Sequence, residues 1–362
     1  MNKNWLMPYV LLTGFALNGN ALAADENDDP VFQPAMMSAL ASTTQLTDIA
    51  KAGQRLVAVG WRGHIIYSDD AGTSWQQAQS PVGVDLTAVY FPSPTQGWVV
   101  GHGGVILHSA DGGTTWTKQQ DGFTTGKAMA DYYQARAEAA TGDDQVSAEK
   151  LRNDVELNYG TGPEQPWLDI WFENDQHGYV VGTFNLIMET KDGGVTWTPI
   201  MEQVDNPETQ HLMAITPIDG DLYLASERGT VFHRAHGAER FVAQHTDYVG
   251  SFFGVQGVGN TILAYGLRGV VFRSEDKGAN WVKVETGSGA SLTGSTALKD
   301  GRIVLAAQDG SLLVSDAGAK GFTAIKPARS WPFATVQGMP DGQVAVVGTR
   351  GVQVEPVPAL SD

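Results

Sequence analysis

Short runs of alternating apolar and polar residues dominate the sequence, and they predict β-strands rather than helices. Within residues 86–119, four such runs are separated by turn residues, at 86–91, 97–101, 105–109 and 115–119. The runs are rich in β-branched and aromatic side chains, which favour pleated and half-buried strands. This part of the chain therefore predicts one antiparallel unit of four strands.

The four-stranded unit recurs along the chain. The segment GWRGHIIYS at residues 60–68 returns as GHGGVILHS at residues 101–109. Further copies begin at Gly182, Ser226, Gly266, Ala307 and Gly348. Units of roughly forty residues have the size of a four-stranded propeller blade. The sequence thus predicts an all-β fold, a seven-bladed β-propeller.

A second motif, S/T-x-D-x-G-x-x-W, follows four of these copies at a fixed distance and is an Asp-box (BNR-type) repeat. Its Asp carboxylate can accept N–H groups of its own turn, its Gly can take a positive φ, and its Trp can pack between strands. We therefore assign it a structural role. Two copies have decayed: residues 315–322 keep a Ser and an aromatic residue, and the fourth unit keeps Phe241. The Asp and Trp residues of the intact copies are Asp70, Trp75, Asp111, Trp116, Asp192, Trp197, Asp276 and Trp281.

The seventh unit, residues 333–357, contains only three predicted strands before the sequence ends. A propeller commonly removes its last exposed sheet edge by pairing the two ends of the chain. We therefore expect residues 32–38 to supply the fourth strand of the seventh blade.

Residues 122–165 interrupt the repeat between the second and third units. Residues 127–140 and 145–157 are rich in good helix formers, and residues 141–144 separate them, so a helical hairpin is predicted. The hairpin either covers the propeller or binds a partner, and the sequence leaves both open. A predicted apolar stripe on its first helix consists of Ala128, Met129, Tyr132, Tyr133 and Ala135.

The first residues predict an export signal. Lys3 precedes an apolar stretch at residues 5–17, and small residues around Ala23 form a cleavage site. We expect cleavage after Ala23 and a periplasmic mature propeller of residues 24–362 that does not span the membrane. The alternative is an N-terminal anchor that is retained.

Composition narrows the function classes. The sequence contains no cysteine, which excludes disulfides, thiolate metal sites and a Cys nucleophile. A formal net charge of -17 disfavours nucleic acid and anionic lipid as general partners. No HExxH spacing or phosphate-binding loop is present, so we predict no metal and no cofactor.

The repeated G-x-x-G-x-I-x-x-S segment followed by D-G-G-x-T-W resembles the photosystem II stability/assembly factor family. The resemblance extends over about residues 47–354. It implies a non-catalytic propeller outside the cytoplasm that helps to assemble or stabilise a membrane complex. Family members in non-photosynthetic bacteria resemble periplasmic accessories of RND-type exporters. Photosynthetic members are typically lipoproteins, and since this sequence has no cysteine to lipidate, only the general role is carried over.

The candidate partner-binding residues lie in the turn between the second and third strands of each unit. Arginine occupies the same position of this turn in four units, where propeller symmetry would gather the side chains around the channel mouth. Arginine suits carboxylate and phosphate partners, and the resemblance also implies an arginine-rich patch. The alternative is that each arginine pairs with an acid of a neighbouring blade or packs beside an aromatic residue. The predicted binding residues are Arg62, Arg228, Arg268, Arg350, His102 and Phe184.

The function predicted from the sequence is a non-enzymatic, exported scaffold that binds a membrane or envelope protein complex through the arginine-bearing face. The alternative is a glycan-binding or sialidase-like propeller, because sialidases also carry Asp-boxes. A sialidase would require an arginine triad, a Tyr nucleophile and an acid. The Arg-Ile-Pro tripeptide typical of those enzymes is absent from the sequence.

Overall fold

A computed structural model of the chain describes residues 28–160, 162–163, 165–327 and 329–358. The predicted signal segment and its cleavage site lie outside these residues. In the part of the chain that the structure describes, no helix combines the length and the apolar character needed to cross a membrane.

Seven antiparallel sheets contain almost all of the regular structure, and in each sheet the strands neighbour one another in chain order. The first sheet consists of β1 (Leu46–Ala52), β2 (Arg55–Gly60), β3 (Ile65–Ser68) and β4 (Gln76–Gln77). The second consists of β5 (Leu86–Tyr90), β6 (Gly97–Gly101), β7 (Ile106–Ser109) and β8 (Thr117–Gln120). The third consists of β9 (Trp167–Phe172), β10 (Gly178–Gly182), β11 (Ile187–Thr190) and β12 (Thr198–Pro199).

The remaining sheets repeat this arrangement. The fourth contains β13 (Leu212–Ile218), β14 (Asp221–Ser226), β15 (Thr230–Arg234) and β16 (Val242–His245). The fifth contains β17 (Phe252–Val258), β18 (Thr261–Gly266), β19 (Val271–Ser274) and β20 (Val282–Val284). The sixth contains β21 (Leu292–Ala297), β22 (Ile303–Ala307), β23 (Leu312–Ser315) and β24 (Phe322–Ile325). The seventh contains β25 (Phe333–Gly338), β26 (Gln343–Gly348) and β27 (Gly351–Pro356).

The first strands of the sheets form a closed ring. Each contacts the first strand of the next sheet, and β25 contacts β1. Residues from all seven of these strands line one central cavity. The predicted seven-bladed propeller is therefore confirmed, and the apolar core lies between the faces of neighbouring sheets.

Threonine hydroxyls connect neighbouring blades near the channel. A bulge at the start of each first strand places one extra residue there. In three sheets this residue is a threonine whose Oγ1 donates to a carbonyl of the next sheet. The bonds are Thr47 to Leu86 (2.6 Å), Thr87 to Trp167 (2.7 Å) and Thr293 to Phe333 (2.9 Å).

The Asp-boxes form the turns between third and fourth strands. In the first copy, Asp70 Oδ1 accepts the Ser68 hydroxyl and the Ser74 N–H, both at 2.8 Å. The Ser74 hydroxyl donates to Asp70 Oδ2 at 2.6 Å. This bond first of all, together with the other two, lowers the pKa of Asp70 to about 2. Gly72 has φ 85° and leaves no room for a side chain, because a Cβ would lie 2.8 Å from Val354 of the seventh sheet. Each box therefore packs against the preceding blade.

The expectation that residues 32–38 form the fourth strand of the seventh blade is wrong. The seventh sheet has three strands, and residues 32–38 run beside the first sheet without joining it. There the Gln77 amide group bonds to the backbone of Met36 and Ser38, at 3.1 and 2.8 Å. A short 3-10 turn, Ala41–Thr43, then leads directly into β1. The side-chain amide thus replaces the backbone ladder that a strand would have needed.

The helical hairpin is confirmed, with α1 at Gly122–Ala139 and α2 at Asp143–Tyr159. Helix α1 begins before the predicted boundary because Asp121 caps it, accepting the Thr124 N–H at 3.2 Å.

The predicted apolar stripe of α1 is correct only in part. Met129 and Tyr133 are fully buried against the propeller, and Tyr132 is half-buried. Ala128 and Ala135 are exposed, so for these two residues only the alternative of a partner contact stays a prediction. The buried face continues instead to Ala137, because positions four residues apart share one side of a helix.

Candidate functional site

The candidate site is the set of turns that join the second and third strands of the sheets. Because every sheet runs outward from the channel in the same strand order, these turns all lie on one face of the ring, which we call the arginine face. The Asp-box turns lie on the opposite face. The structure thus places Arg62, Arg228, Arg268 and Arg350 on a common face.

A repeated hydrogen bond holds these turns against the start of their own sheet. The first residue after the second strand donates its N–H to the carbonyl of the residue that precedes the first strand. The bonds are Trp61 to Gln45 (3.1 Å), His102 to Asp85 (2.8 Å), Leu267 to Ser251 (3.0 Å) and Thr349 to Pro332 (3.1 Å). The turns are therefore anchored parts of the scaffold.

Three of the arginines have left-handed backbone conformations. The φ angle is 55° at Arg62, 53° at Arg228 and 61° at Arg268. A residue with a Cβ is disfavoured there by roughly 1–2 kcal/mol, whereas glycine is not. The second sheet has Gly103 at this position, with φ 67°. The turn accommodates glycine, and arginine is present despite the strain.

Arg350 differs from the other three. The φ angle of Arg350 is not positive. Its turn is also shorter, because Gly348 pairs directly with Gly351. The sequence alignment of the repeats placed the four arginines in one equivalent position. The backbone separates Arg350 from the rest.

Most of these guanidinium groups have no acidic partner. All four arginines are exposed. Arg228 forms a salt bridge with Glu208 of the loop that enters its own sheet. Within the described residues no ion pair involves Arg62, Arg268 or Arg350. The alternative of pairing with a nearby acid thus applies to Arg228.

His102 and Phe184 occupy the same type of turn. His102 is exposed, and the Phe184 side chain is 39% exposed. The Phe184 ring packs edge-on against His211, with centroids 4.7 Å apart, and the Phe184 N–H donates to His211 Nδ1 at 2.9 Å. An apolar surface therefore lies among the charged turns.

The helical hairpin borders the arginine face. Helix α1 contacts the turn His102–Gly104, and a Cβ at Gly104 would lie 2.8 Å from the Cα of Gly122. Tyr133 donates its hydroxyl to Glu202 at 2.9 Å and accepts the Met201 N–H at 3.0 Å. The buried side of α1 is thus occupied by α2 and the propeller, and any partner would meet the outer surface of the hairpin.

Two carboxyl groups in the channel were missed at the sequence level. Asp48 Oδ2 accepts the Val89 N–H of the next sheet, and Asp169 Oδ2 accepts the Ile215 N–H, both at 2.8 Å. Burial among the inner strands raises the pKa of each to about 7. The signal that the sequence offers for them is an acid third in a first strand, in LTD and WLD, beside buried apolar residues. Among the residues that the structure describes, no group of three or more acids or histidines is arranged to hold a metal.

A family model and individual sequences of known proteins both match this chain, and they indicate the same family. The sequence model of the family described as "Photosynthesis system II assembly factor YCF48" matches residues 9–107 and 153–315. The photosystem II assembly lipoprotein Ycf48 of Synechococcus sp. (strain CC9902) is 22% identical over 215 residues, which are 55% of this chain and 64% of that relative. The same lipoprotein of Prochlorococcus marinus (strain MIT 9313) is 43% identical over 61 residues, 17% of each chain.

Solved structures share the fold. A YCF48 protein bound to a D1 peptide has a TM-score of 0.64 and 15% identity, covering 90% of this chain and 100% of its own. YCF48 from Cyanidioschyzon merolae has a TM-score of 0.62 and 15% identity, covering 89% and 97%. The helical hairpin begins inside the gap between the two matched ranges of the family model. The second matched range begins at residue 153, inside α2.

Proposed function

Because the chain belongs to the YCF48 family of photosystem II assembly factors, we propose that it is a non-enzymatic, exported scaffold for a membrane protein complex. In this proposal the mature protein is periplasmic and binds an exposed segment of its partner through the arginine face. The curated relatives are assembly lipoproteins by name, and one solved relative holds a D1 peptide. Both support a role in which the propeller binds protein segments and performs no chemistry.

The observation that carries the proposal is the pair of exposed guanidinium groups of Arg62 and Arg268, which lie in left-handed turns and form no ion pair within the described residues. Strain of this kind persists where the surroundings fix it, and it often marks a functional position. Since glycine fits the same turn in the second sheet, the fold does not require arginine. The positive charge of these arginine side chains is therefore the property that a binding function explains.

An extended segment with acidic side chains or a free C-terminal carboxylate is the partner chemistry that suits this face. Each guanidinium can form two parallel hydrogen bonds to a carboxylate, and Phe184 offers an apolar contact between them. The rest of the protein carries a strong negative charge. Repulsion elsewhere would therefore direct an acidic segment to the arginine turns, and binding would weaken as salt increases.

We further propose that the partner belongs to an RND-type exporter rather than to photosystem II. The curated relatives are named as lipoproteins, whereas this sequence has no cysteine that could carry a lipid. The family role of assembling or stabilising a membrane complex is retained in this proposal, while the complex differs.

The test is co-purification from the detergent-solubilised envelope of the source organism. The variant carries Arg62→Gly, Arg228→Gly and Arg268→Gly, which removes charge without adding strain. A matched variant, Lys283→Gln, Lys299→Gln and Lys320→Gln, removes the same charge away from the arginine face. We expect a membrane protein to co-purify with the wild type and the lysine variant, and to be lost from the arginine variant. Retention of the partner by the folded arginine variant would refute this role of the face, and identification of the retained protein decides whether it is an exporter subunit.

A further inference from the structure

A cleft of about 390 Å³ opens between the third and fourth blades, on the face opposite the arginine turns. Trp171, Tyr179 and Glu189 line it from the third sheet. Arg234 and the turn at residues 235–239 line it from the fourth. Its volume is within the range of small-molecule sites, and both aromatic and charged side chains face it.

The cleft lies beside the turn between the third and fourth strands of the fourth blade, which has no intact Asp-box. At four other boundaries a polar side chain of one sheet donates to a carbonyl in the outer turn of the next. These bonds are Arg55 to Gly112 (3.1 Å), Gln119 to Gly193 (2.9 Å), Gln244 to Lys277 (3.0 Å) and Arg273 to Gly318 (2.7 Å). Within the described residues, no third-sheet side chain bonds to the turn at residues 235–240 of the fourth blade. Here the turn itself supplies the bond, from Arg240 to the Glu202 carbonyl at 2.8 Å, and a lined cavity remains beside it.

Arg234 is held rigidly at this cleft. Its guanidinium carbon lies 4.7 Å from the centroid of the Tyr179 ring and 4.6 Å from that of Phe241. Stacking on two aromatic faces fixes the plane of the group and leaves donors at its edge. No ion pair involves Arg234 among the residues that the structure describes. A half-buried, oriented cation without a carboxylate is suited to an anionic group of a ligand.

Hydrogen-bond acceptors face Arg234 across the cleft. Glu189 is already engaged, because it accepts from Tyr179 at 2.7 Å and contacts His177 at 2.8 Å and Lys191 at 3.2 Å. Burial would raise the pKa of Glu189, but these partners outweigh it and lower the pKa. Glu173 accepts from His177 Nδ1 through Oε2 at 2.9 Å, so its other oxygen and the exposed carboxylate of Glu239 retain capacity to accept hydroxyl groups.

An aromatic wall completes the site. The Trp171 ring lies parallel to Tyr179, with centroids 6.1 Å apart and planes 6° from parallel. Trp171 is half-buried and borders the cavity, so it offers apolar surface to the face of a bound ring. The cleft therefore combines one oriented cation, carboxylate oxygens that can still accept hydrogen bonds, and an aromatic surface.

We propose that this cleft binds a small sugar acid. Its carboxylate would bond to Arg234, its hydroxyl groups to Glu173 and Glu239, and one ring face would lie on Trp171. Glu173, Glu189 and Glu239 against Arg234 and Lys191 make the lining slightly acidic, which disfavours phosphorylated or multiply charged anions. The site is independent of the arginine face, and no bond is made or broken in it.

The test measures binding of D-glucuronate and N-acetylneuraminate to the purified mature protein by NMR titration and calorimetry. D-glucose, which lacks the carboxylate, and acetate, which lacks the hydroxyl groups, are the control ligands. We expect saturable binding of at least one sugar acid and much weaker binding of both controls. Arg234→Gln should weaken binding about tenfold or more, as expected for the loss of a charge-assisted hydrogen bond.

A second variant protects the test from a folding artefact. Ala238→Trp places a large side chain at the exposed rim of the cleft and removes no existing side-chain contact of the core. It should abolish sugar-acid binding while the melting temperature stays near that of the wild type. The variant that carries Arg62→Gly, Arg228→Gly and Arg268→Gly should bind the sugar acid as tightly as the wild type. Absence of saturable binding in the folded wild type, or equal binding of the control ligands, would overturn the proposal.

Discussion

At the scale of single residues, the turns of the arginine face show a conflict between local backbone preference and side-chain identity. Arg62, Arg228 and Arg268 have left-handed backbones that favour glycine, and Gly103 occupies the same position in the second blade. The side chains extend into solvent, so packing does not explain them. For Arg62 and Arg268, the strain is therefore imposed by turns that are hydrogen-bonded to the start of their own sheet. Arg228 has in addition the side-chain contact with Glu208.

Arg62→Gly and Arg268→Gly should each raise the free energy of unfolding by up to about 1 kcal/mol, because glycine adopts the left-handed conformation without a Cβ clash. Arg228→Gly should raise the free energy of unfolding by a smaller amount, since it also removes the surface salt bridge to Glu208. Urea-induced unfolding measures these differences. Arg350→Gly is the internal control: its backbone is not left-handed, so a gain as large as that of Arg62→Gly would contradict the explanation.

Asp48→Asn should change how stability depends on pH. Burial holds the pKa of Asp48 at about 7 in the folded protein, against about 3.9 in an unfolded chain. The folded state then binds the proton more tightly, so this stabilisation is complete below the unfolded pKa and is lost as pH rises through the folded pKa.

Asparagine can still accept the Val89 N–H but does not ionise. As pH rises from about 5 to about 8, the melting temperature of the Asp48→Asn variant should therefore fall less than that of the wild type. Glu138→Gln, on the exposed side of α1, serves as the control substitution. Parallel melting curves for wild type and Asp48→Asn across this range would show that the channel carboxyl is not coupled to folding.

At the scale of elements, the helical hairpin is a packed part of the third blade. Met129 and Tyr133 are buried, and the Tyr133 hydroxyl joins the Met201 backbone to Glu202. Arg136 adds a salt bridge to Glu202 at 3.0 Å. The hairpin thus forms a fixed border of the arginine face.

Tyr133→Phe should lower the free energy of unfolding by about 1–3 kcal/mol, because it leaves the buried Met201 N–H without an acceptor. Tyr132→Phe is the matched control, since Tyr132 is only half-buried on the same helix. Thermal and urea denaturation measure both variants. Equal effects of the two substitutions would indicate that the Tyr133 hydroxyl does not hold the hairpin in place.

At the scale of the whole molecule, the ring closes through the contact of β25 with β1, without a strand shared between the two chain ends. The outer strand of the seventh blade, β27, pairs only with β26 among the described strands. Closure therefore depends on face-to-face packing and on bonds between blades near the channel, such as those of Thr47, Thr87 and Thr293.

Thr47→Val, Thr87→Val and Thr293→Val should each destabilise the ring by about 1 kcal/mol, the net contribution of a typical hydrogen bond. The three sites belong to different blade boundaries, so their effects should add. Thr198→Val, on the exposed β12, is the control. Urea unfolding of the single and triple variants measures the sum, and a triple effect no larger than a single one would contradict independent contributions.

The sequence predicted the blades well and the ends of the chain poorly. The repeat and its strands follow from local periodicity, and the hairpin follows from helix propensity. The strand expected at residues 32–38 failed because the Gln77 side chain, rather than any local preference, fixes the path of that segment. The helical period alone could not show that Met129 is buried and Ala128 exposed, because the sequence does not show which side of α1 faces the propeller.

The candidate site was predicted only as a set of equivalent positions. Counting along the repeat placed Arg62, Arg228, Arg268 and Arg350 together, because the same number of residues follows the same strand in each blade. It could not detect that the turn of Arg350 has a different backbone or that Arg228 pairs with Glu208. Both depend on loops whose conformations come from long-range packing.

The sequence by itself determined the repeat, its number and the chemistry available on each turn, because these depend on residues close together in the chain. Only the tertiary structure decided which groups meet across blades: Asp48 with Val89, and Arg234 with Tyr179. It also showed a cleft between the third and fourth blades, beside the turn of the fourth blade that has no intact Asp-box. The reason is that blade contacts join residues about forty or more positions apart, and the ring that brings them together is formed only when all of the sheets pack.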